Sequence, residues 1–191
     1  MSIYPQKIKK RFDSPRNTGE VENAHAVGTD ASFTCGSFVR FSLGIEPHSK
    51  EIVDAKFQTN GCGFMLAAAD VLAGAVTGKH LADLHGLKKD ELLAKIDDEL
   101  GLFPADRLHC EETCIEAFRV AFADYRARQI EEFQGEKALI CTCFGVEEET
   151  IESLVAKDSI KSVDEVTRIT SAGGGCGSCR MLIQEIIDVH R

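Results

Sequence analysis

The eight cysteines of this 191-residue chain fall into two sets that differ in spacing. In the last third of the chain, Cys141 and Cys143 form a C-x-C pair, and Cys176 and Cys179 form a C-x-x-C pair after a long excursion. Two close pairs joined by such an excursion predict one site of four thiolates. Soft thiolates in tetrahedral coordination select zinc or an iron–sulfur cluster, and the ligand count alone does not separate the two.

Glycines surround the second pair, in the stretch TSAGGGCGSC that ends at Cys179. Glycine costs backbone entropy wherever it is ordered, so its concentration here needs a reason. The sulfides of a cluster need backbone N–H donors at close range, and side chains would block that approach. A flexible loop with incidental cysteines is the alternative, and two cysteine pairs in one small region argue against it.

The first set, Cys35, Cys62 and Cys110, is dispersed, and a lone cysteine is usually a small core residue. Each of these three, however, lies at the end of a predicted element beside glycine or polar residues, where a thiolate is stabilised and exposed. Three thiolates with one exchangeable position suit assembly and transfer better than permanent storage, because a structural site is closed by a fourth firm ligand. Cys114 follows Cys110 by one helical turn; a core cysteine is favoured there over a spare ligand or a sulfur relay.

The elements that must position the first set predict an α+β domain in which helices pack on a small antiparallel sheet. FVRFSLGI (38–45) alternates apolar and polar residues, and EIVDAKFQT (51–59) is predicted as its hairpin partner across the turn EPHSK. Helices are predicted at the N-terminus and over 63–78, 88–100 and 111–133. In the last of these, apolar residues recur at helical spacing, namely Ile115, Phe118, Phe122 and Tyr125.

Gly135 marks a predicted stop, so we expect a boundary near 134–138 between domains 1–134 and 138–191. The second domain is predicted to be short and helical, with helices over 147–157, 162–170 and 179–190. Ser162 and Glu165 form a capping-box pattern, and Met181, Leu182, Ile186 and Val189 are expected to supply the core. So small a domain is marginal without a metal.

Composition excludes several function classes. A formal net charge of −9 argues against a nucleic-acid partner. No secretory signal is evident, and the longest apolar run is broken by Asp70 and too short for a membrane span, so we expect a cytoplasmic protein without a membrane partner. Cysteines in a reducing compartment are used for metal or catalysis rather than disulfides. No serine–histidine–acid set, phosphate-binding loop or paired-carboxylate motif stands out, so we expect no enzyme.

The last third also carries a family resemblance. CTCFGVEEETI and SVDEVTRITSAGGGCGSC resemble the ferredoxin-like domain of NifU nitrogen-fixation scaffold proteins and are similar to the bacterioferritin-associated ferredoxins. The resemblance implies a small all-helical domain that holds a permanent [2Fe–2S] cluster. Its four implied ligands are Cys141, Cys143, Cys176 and Cys179.

Residues 1 to about 133 resemble the IscU-type scaffold domain, which is also the N-terminal domain of NifU, through DSPRNTGEV, DAKFQTNGCG and the HC before the long helix. The resemblance implies a transient iron–sulfur cluster on Cys35, Cys62 and Cys110, with His109 as an extra ligand and with iron or zinc as the metal. It also implies a cysteine desulfurase that supplies persulfide sulfur and apo iron–sulfur client proteins that receive the cluster. Chains of this kind often form homodimers, so a homodimer is left open.

Three departures from the family pattern stand out. Ser37 replaces an aspartate, FPADR replaces the usual chaperone-binding loop, and we expect a two-domain version without the further C-terminal domain. Two other functions compete with a scaffold: an electron-transfer protein with a docking domain, and a zinc-stabilised interaction module. The dispersed cysteines argue against the electron-transfer protein, because a docking domain needs none. Colour would distinguish a scaffold from the zinc-stabilised module, since a [2Fe–2S] protein is red-brown and a zinc protein is colourless.

Overall fold

The computed structural model describes residues 3–84, 89–132, 138–158 and 160–190. By their contacts these residues divide into two compact units. The first unit takes the described residues within Met1–Ile45, Ile52–Lys79 and Leu87–Tyr125, and the second those within Glu46–Glu51, His80–Gly86 and Arg126–Arg191.

An antiparallel sheet of three strands organises the first unit. The strands are β1 (Ala26–Ala31), β2 (Phe38–Ile45) and β3 (Ile52–Thr59), and β2 lies in the centre. The alternation of β2 buries Val39, Phe41, Leu43 and Ile45, which confirms the expectation from the sequence. Phe41 lies opposite Phe57 of β3, and both rings are fully buried.

Helices pack on this sheet. The described helices of the first unit are α1 (Gln6–Asp13), α2 (Gly63–Val76), α4 (Lys89–Leu100) and the first part of α5 (Leu108–Glu132), and a single 3-10 turn (Ala105–Arg107) precedes α5. The short helix α3 (Leu81–Leu84) belongs to the second unit. Helix α2 is buried on nearly every side, as its run of small apolar residues requires. In α5, Phe118 packs edge to face against Phe41 with ring centroids 5.9 Å apart.

Strand β1 approaches the backbone of α5 directly at Gly28. A Cβ atom at this position would clash with the carbonyl oxygen of Ala117 and the amide nitrogen of Ala121. Asp124 secures the same contact, because its carboxylate accepts a hydrogen bond of 2.8 Å from the amide of Val27. Glycine is therefore required where the strand meets the helix.

A buried carboxylate ties the N-terminal segment to α2. Asp70 is fully buried, and its oxygens accept hydrogen bonds from the Arg11 guanidinium at 2.7 Å and from the amides of Arg16 and Asn17 at 2.8 Å each. Burial opposes the charge on Arg11, but the hydrogen bond and charge of Asp70, together with those of Glu99, outweigh it and raise the pKa of Arg11. Breaking such a buried pair costs about 3–5 kcal/mol.

The described C-terminal part of the second unit is mainly helical. It contains a two-stranded ribbon, β4 (Leu139–Cys141) with β5 (Val146–Glu147), and the helices α6 (Glu148–Asp158), α7 (Val163–Thr170) and α8 (Arg180–Val189). The predicted capping box is confirmed: Ser162 accepts a hydrogen bond from the amide of Glu165, whose carboxylate accepts one from the amide of Ser162. The helix α7 then ends at Ser171, which adopts a left-handed conformation.

The predicted core face of α8 was wrong for three of its four residues. Met181 and Val189 are 78% and 81% exposed, Leu182 is also exposed, and only Ile186 is buried. The buried face consists of Ile183, Ile186 and Ile187 instead. The reason is helical phase: Cys179 is buried just before the helix, and the positions four and eight residues later lie on its side of the helix.

The expected fold class is confirmed, namely an α+β part with a small antiparallel sheet followed by a helical part. The structure adds to the expectation strand β1, the short helix α3, the 3-10 turn before α5, and the two-stranded ribbon in a part expected to be all helical. The predicted boundary at 134–138 lies outside the described residues except for Ala138. Among the helices that the structure describes, none is both long and apolar enough to cross a membrane.

Candidate metal centres

Cys35 lies in the loop between β1 and β2, and local hydrogen bonds shape this loop. The amide of Ser32 donates to the carbonyl of Ser37, and the amide of Gly36 donates to the carbonyl of Ser32, both at 2.8 Å. Gly36 has a φ of +70°, a conformation that a side chain disfavours. The resulting turn leaves the Cys35 thiol exposed.

Cys62 is the residue that precedes the first turn of α2, and it is also exposed. Glycines flank it because neighbours lie close on both sides. A Cβ atom on Gly61 would clash with the side chain of Met65, and one on Gly63 would lie 2.8 Å from the ring of Tyr4. The Tyr4 hydroxyl accepts a hydrogen bond of 3.1 Å from the amide of Gly63, one of the unpaired donors at the helix N-terminus. Tyr4 therefore fixes the helix end that carries Cys62.

Cys110, in the first turn of α5, meets Cys62 across the site. Their Sγ atoms are 3.8 Å apart, and Nε2 of His109 lies 3.5 Å from the Cys110 Sγ. Two sulfurs bound to one tetrahedral metal at about 2.3 Å lie about 3.8 Å apart, so the Cys62–Cys110 pair has the spacing that one metal ion requires.

The thiols of Cys35 and Cys110 differ in both exposure and pKa. Hydrogen bonds from the Ser37 side chain and amide, with smaller ones from Ser32 and His109, lower the pKa of Cys35 to about 7. Burial, followed by the neighbouring Cys62, raises the pKa of Cys110 to about 12. Without metal, therefore, Cys35 ionises readily near neutral pH while Cys110 keeps its proton.

Two further groups stand beside Cys110. Cys114 is fully buried, as expected of a core cysteine; its Sγ lies 3.5 Å from the carbonyl oxygen of Met65, and burial raises its pKa well above the usual value. Glu111 is only 3% exposed, and its Oε1 has no hydrogen-bond partner among the described residues. Burial, together with the charges of Asp97 and Glu112, raises the pKa of Glu111 to about 7. The sequence analysis missed Glu111, which no spacing pattern marks.

The second set of cysteines pairs across its two motifs rather than within them. The Sγ atoms of Cys143 and Cys176 are 3.5 Å apart, and the thiols of Cys141 and Cys179 hydrogen bond to each other. The ribbon β4–β5 carries Cys141 and Cys143, and the loop before α8 carries Cys176 and Cys179. Cys176 is exposed, while the other three thiols are buried.

The glycines in this loop allow a close approach. A Cβ atom on Gly175 would lie 3.0 Å from the Cβ and 3.1 Å from the Sγ of Cys143, so a side chain there would press on a thiol. Gly173 and Gly177 have φ values of +84° and +78°. These three glycines let the backbone fold tightly around the thiols, as expected from the sequence.

In the second set, too, the exposed and the buried thiols differ in pKa. Ser178, whose Oγ lies 3.3 Å from the Cys176 Sγ, lowers the pKa of Cys176 to about 7. Burial raises the pKa of Cys143, and burial followed by the charge of Cys141 raises that of Cys179 to about 11. Cys176 therefore ionises readily, whereas Cys143 and Cys179 need a cation to replace their protons.

Across the described residues, no group of three or more His, Cys, Asp and Glu side chains stands ready to hold a single metal ion. The thiols come together in twos instead. A [2Fe–2S] cluster has four cysteine ligands, two on each iron, so two neighbouring pairs fit such a cluster better than they fit one tetrahedral ion.

Both centres contain the tripeptide Cys-Gly-Ser, at residues 35–37 and 176–178. In each copy the cysteine is exposed, the glycine has a positive φ, and the serine hydroxyl hydrogen bonds to the thiol. The sequence analysis named Ser37 but missed Ser178. The repeated tripeptide was the signal that could have revealed it.

Two known domain families match the sequence of this chain. The sequence profile of the NifU-like N-terminal domain matches residues 3–132. The chain belongs to this family. In addition, the profile of the BFD-like [2Fe–2S] binding domain matches residues 139–189 of this NifU-like chain.

Individual relatives agree with the family match. The nitrogen fixation protein NifU of Azotobacter chroococcum mcd 1 is 33% identical over 193 residues, which cover 98% of this chain and 61% of that protein. The iron–sulfur cluster assembly scaffold protein IscU of Aquifex aeolicus (strain VF5) is 32% identical over 150 residues, which cover 78% of this chain and 92% of IscU. The chain thus spans about three fifths of the length of that NifU relative.

A solved structure of a NifU-like protein (N-terminal) from Brucella abortus matches 68% of this chain and 95% of its own, at 24% identity and a TM-score of 0.47.

Proposed function

We propose that this NifU-like chain is a scaffold that assembles an iron–sulfur cluster on its first domain and transfers it to apo-proteins. The observation that carries the proposal is the presence of two separate groups of convergent thiols, each within the part of the chain that one of the two domain profiles matches. We place the domains at 1–134 and 138–191. We further propose that the protein acts as a carrier rather than an enzyme and works in the cytoplasm.

The transient cluster is the cargo, and its proposed ligands are Cys35, Cys62 and Cys110, with His109 as an extra ligand. Exposure of Cys35 and Cys62 supports this role, because cargo must enter and leave from solvent or from a partner. A cysteine desulfurase supplies the sulfur, and apo iron–sulfur proteins take the product. Zinc is the competing occupant, since the Cys62–Cys110 spacing suits either metal.

The resident [2Fe–2S] cluster is proposed to lie on Cys141, Cys143, Cys176 and Cys179, where it supplies one-electron transfer. Burial of three of these thiols supports retention, in contrast to the first site. Ser178 donates a hydrogen bond to the Cys176 thiolate, and Gly175 keeps the space beside Cys143 open. Loading requires the buried Cys179 to release its proton, whose pKa is about 11 without metal.

Iron and sulfide content of three variants tests this assignment. Cys176→Ser should lose the resident cluster and its visible absorption, and Cys62→Ala should keep both. Anaerobic reconstitution with iron and sulfide should then add a second cluster to the wild type but not to Cys62→Ala. The matched control is Cys114→Ala, which removes a buried thiol one turn from Cys110 and should leave both clusters intact.

The results also separate the competing functions. If Cys62→Ala builds and transfers a cluster to an apo-ferredoxin at the normal rate, the three-thiolate assignment is wrong. If the wild type holds the resident cluster but neither builds nor transfers a second one, the chain is an electron-transfer protein with a docking domain. A colourless wild-type protein that contains zinc and no labile sulfide would instead be an interaction module. Sedimentation of the loaded protein tests whether the chain forms a homodimer.

A further inference from the structure

A basic cleft lies in the first unit between the helices α1 and α4, and none of the described residues that line it is a cysteine. Its volume is about 300 Å³. Four cationic side chains, one carboxylate and a buried leucine contribute to its lining, namely Lys7, Lys10, Arg11, Arg16, Glu99 and Leu100. Such a concentration of positive charge is local, since the chain as a whole has a formal net charge of −9.

One wall of the cleft is rigid. The Arg11 guanidinium hydrogen bonds to the buried Asp70 at 2.7 Å and also pairs with Glu99 at the end of α4. The side chain of Arg11 is only 20% exposed, so its position is fixed by packing as well as by charge. This pairing also neutralises Glu99, the carboxylate that lines the cleft.

The other cations are available to a ligand. Among the described residues, the side chains of Lys10 and Arg16 have neither an ion pair nor a hydrogen bond, and both are exposed. Lys7 makes one long contact of 3.3 Å to the carbonyl oxygen of Asp98. Lys10 and Arg11 lie three and four residues after Lys7, so each of them neighbours Lys7 on the surface of α1 at a Cβ spacing of about 5–6 Å.

We propose that this cleft binds an acidic segment of a partner protein, with Lys7, Lys10 and Arg16 contacting successive carboxylates. Cations distributed along one cleft suit a linear series of carboxylates, because alternate side chains of an extended peptide repeat at about 7 Å. Phosphate sites, by contrast, typically use the free N–H groups of a helix N-terminus. The cleft runs along α1 to residues beyond its C-terminal end, and its other lining residues lie at the C-terminal end of α4.

The anchored wall of the cleft is connected to Cys62 through α2. Arg11 is anchored on Asp70, and Cys62 immediately precedes the same helix α2. The offset of eight residues from Cys62 to Asp70 corresponds to about 12 Å along a helix. Binding itself needs no metal, so the inference stands apart from the proposed function.

Fluorescence anisotropy with a rhodamine-labelled octaglutamate peptide tests the site in the full chain. The wild type should bind the peptide saturably at about 50 mM salt and several-fold more weakly at about 200 mM. Lys10→Glu with Arg16→Glu should weaken binding at least tenfold. The matched control is Lys9→Glu with Lys79→Glu, which changes the net charge equally outside the cleft and should shift the affinity less than threefold.

Carbodiimide cross-linking, which joins amines to carboxylates in contact, locates the bound peptide. Cross-links should map to Lys7 or Lys10. Absence of saturable wild-type binding, equal weakening in the control, or cross-links confined to other lysines would each overturn the proposal. Tighter binding of a phosphoserine octapeptide or an oligonucleotide, with the same loss in the variant, would assign the cleft to phosphate instead. If the double glutamate variant does not fold, glutamine at both positions should still weaken binding about threefold or more.

Discussion

Replacing Ser37 by alanine should raise the pKa of the Cys35 thiol in the metal-free protein. The Ser37 hydroxyl is the largest of the contributions that bring this pKa to about 7 from the usual 9.0. The Ser37 amide, Ser32 and His109 remain in the variant, so only part of the shift is lost, and we expect a rise of about one pKa unit.

The effect on reactivity is smaller than the effect on ionisation. Well below its pKa, a thiol whose pKa rises by one unit has about tenfold less thiolate. The more basic thiolate is, however, about threefold more nucleophilic, because nucleophilicity increases with thiol pKa at a Brønsted slope of about 0.4–0.5. Alkylation of Cys35 at about pH 6 should therefore slow only about threefold to fourfold, while the midpoint of the pH profile moves upward.

The assay is iodoacetamide labelling of the metal-free protein across pH, quantified for each cysteine by mass spectrometry. Ser178→Ala provides the matched control: it should move the profile of Cys176 upward and leave that of Cys35 unchanged, since each serine contacts only its own cysteine. The hydrogen-bond explanation would be refuted if the midpoint for Cys35 did not change in Ser37→Ala and the midpoint for Cys176 did not change in Ser178→Ala. In the loaded protein, Ser37→Asp should speed cluster transfer to an apo-ferredoxin, because a carboxylate adds negative charge beside the cargo.

Three other predictions concern stability and redox potential. Folding raises the pKa of Glu111 from 4.5 to about 7, so the native state retains a proton that the unfolded state loses, and stability falls as pH rises through this window. Glu111→Gln should therefore raise the melting temperature of the metal-free protein by about 3–8 °C at pH 8 and by less at pH 5. Equal gains at the two pH values would contradict the explanation. Gly28→Ala should cost about 3 kcal/mol or more by thermal unfolding, because its Cβ clashes with helix backbone, whereas Gly74→Ala, with 3.4 Å to its nearest neighbour, should cost little. Ser178→Ala should lower the midpoint potential of the resident cluster by about 20–40 mV in a spectroelectrochemical titration, because the hydrogen bond that the variant lacks stabilises the reduced, more negative state. A potential that stays the same or rises would show that the hydroxyl does not reach the Cys176 sulfur.

Periodicity was sufficient for the elements that bury a regular apolar face. Strand β2 was predicted from its alternating apolar residues, and these residues are buried in the structure. Helix α5 was predicted from the helical spacing of its apolar residues, of which Ile115, Phe118 and Tyr125 are buried. Strand β1 did not, since its sequence AVGTDA has little apolar alternation. It is a strand because β2 pairs with it and because Gly28 admits the backbone of α5, and both are tertiary effects.

The candidate sites show the same division. Spacing predicted which cysteines belong together, but it could not predict that the Sγ atoms of Cys143 and Cys176 lie within 3.5 Å of each other across the two motifs. That pairing depends on how the ribbon meets the loop before α8. The burial of Glu111 and the exposure of Met181 were equally beyond a local pattern, because helical phase relative to the rest of the fold decides each.

Pairs of free thiols at 3.5 and 3.8 Å have a consequence for how the protein meets dioxygen. Each pair joins an exposed sulfur to a buried one, and a small movement would bring the two into bonding contact. Oxidation by dioxygen would then remove two electrons and two protons from the pair and close a disulfide across the position proposed for iron. Under that proposal, dioxygen and iron compete for the same four sulfur atoms. A chain that loses its metal under oxidising conditions becomes locked, and a thiol reductant must act before iron can return.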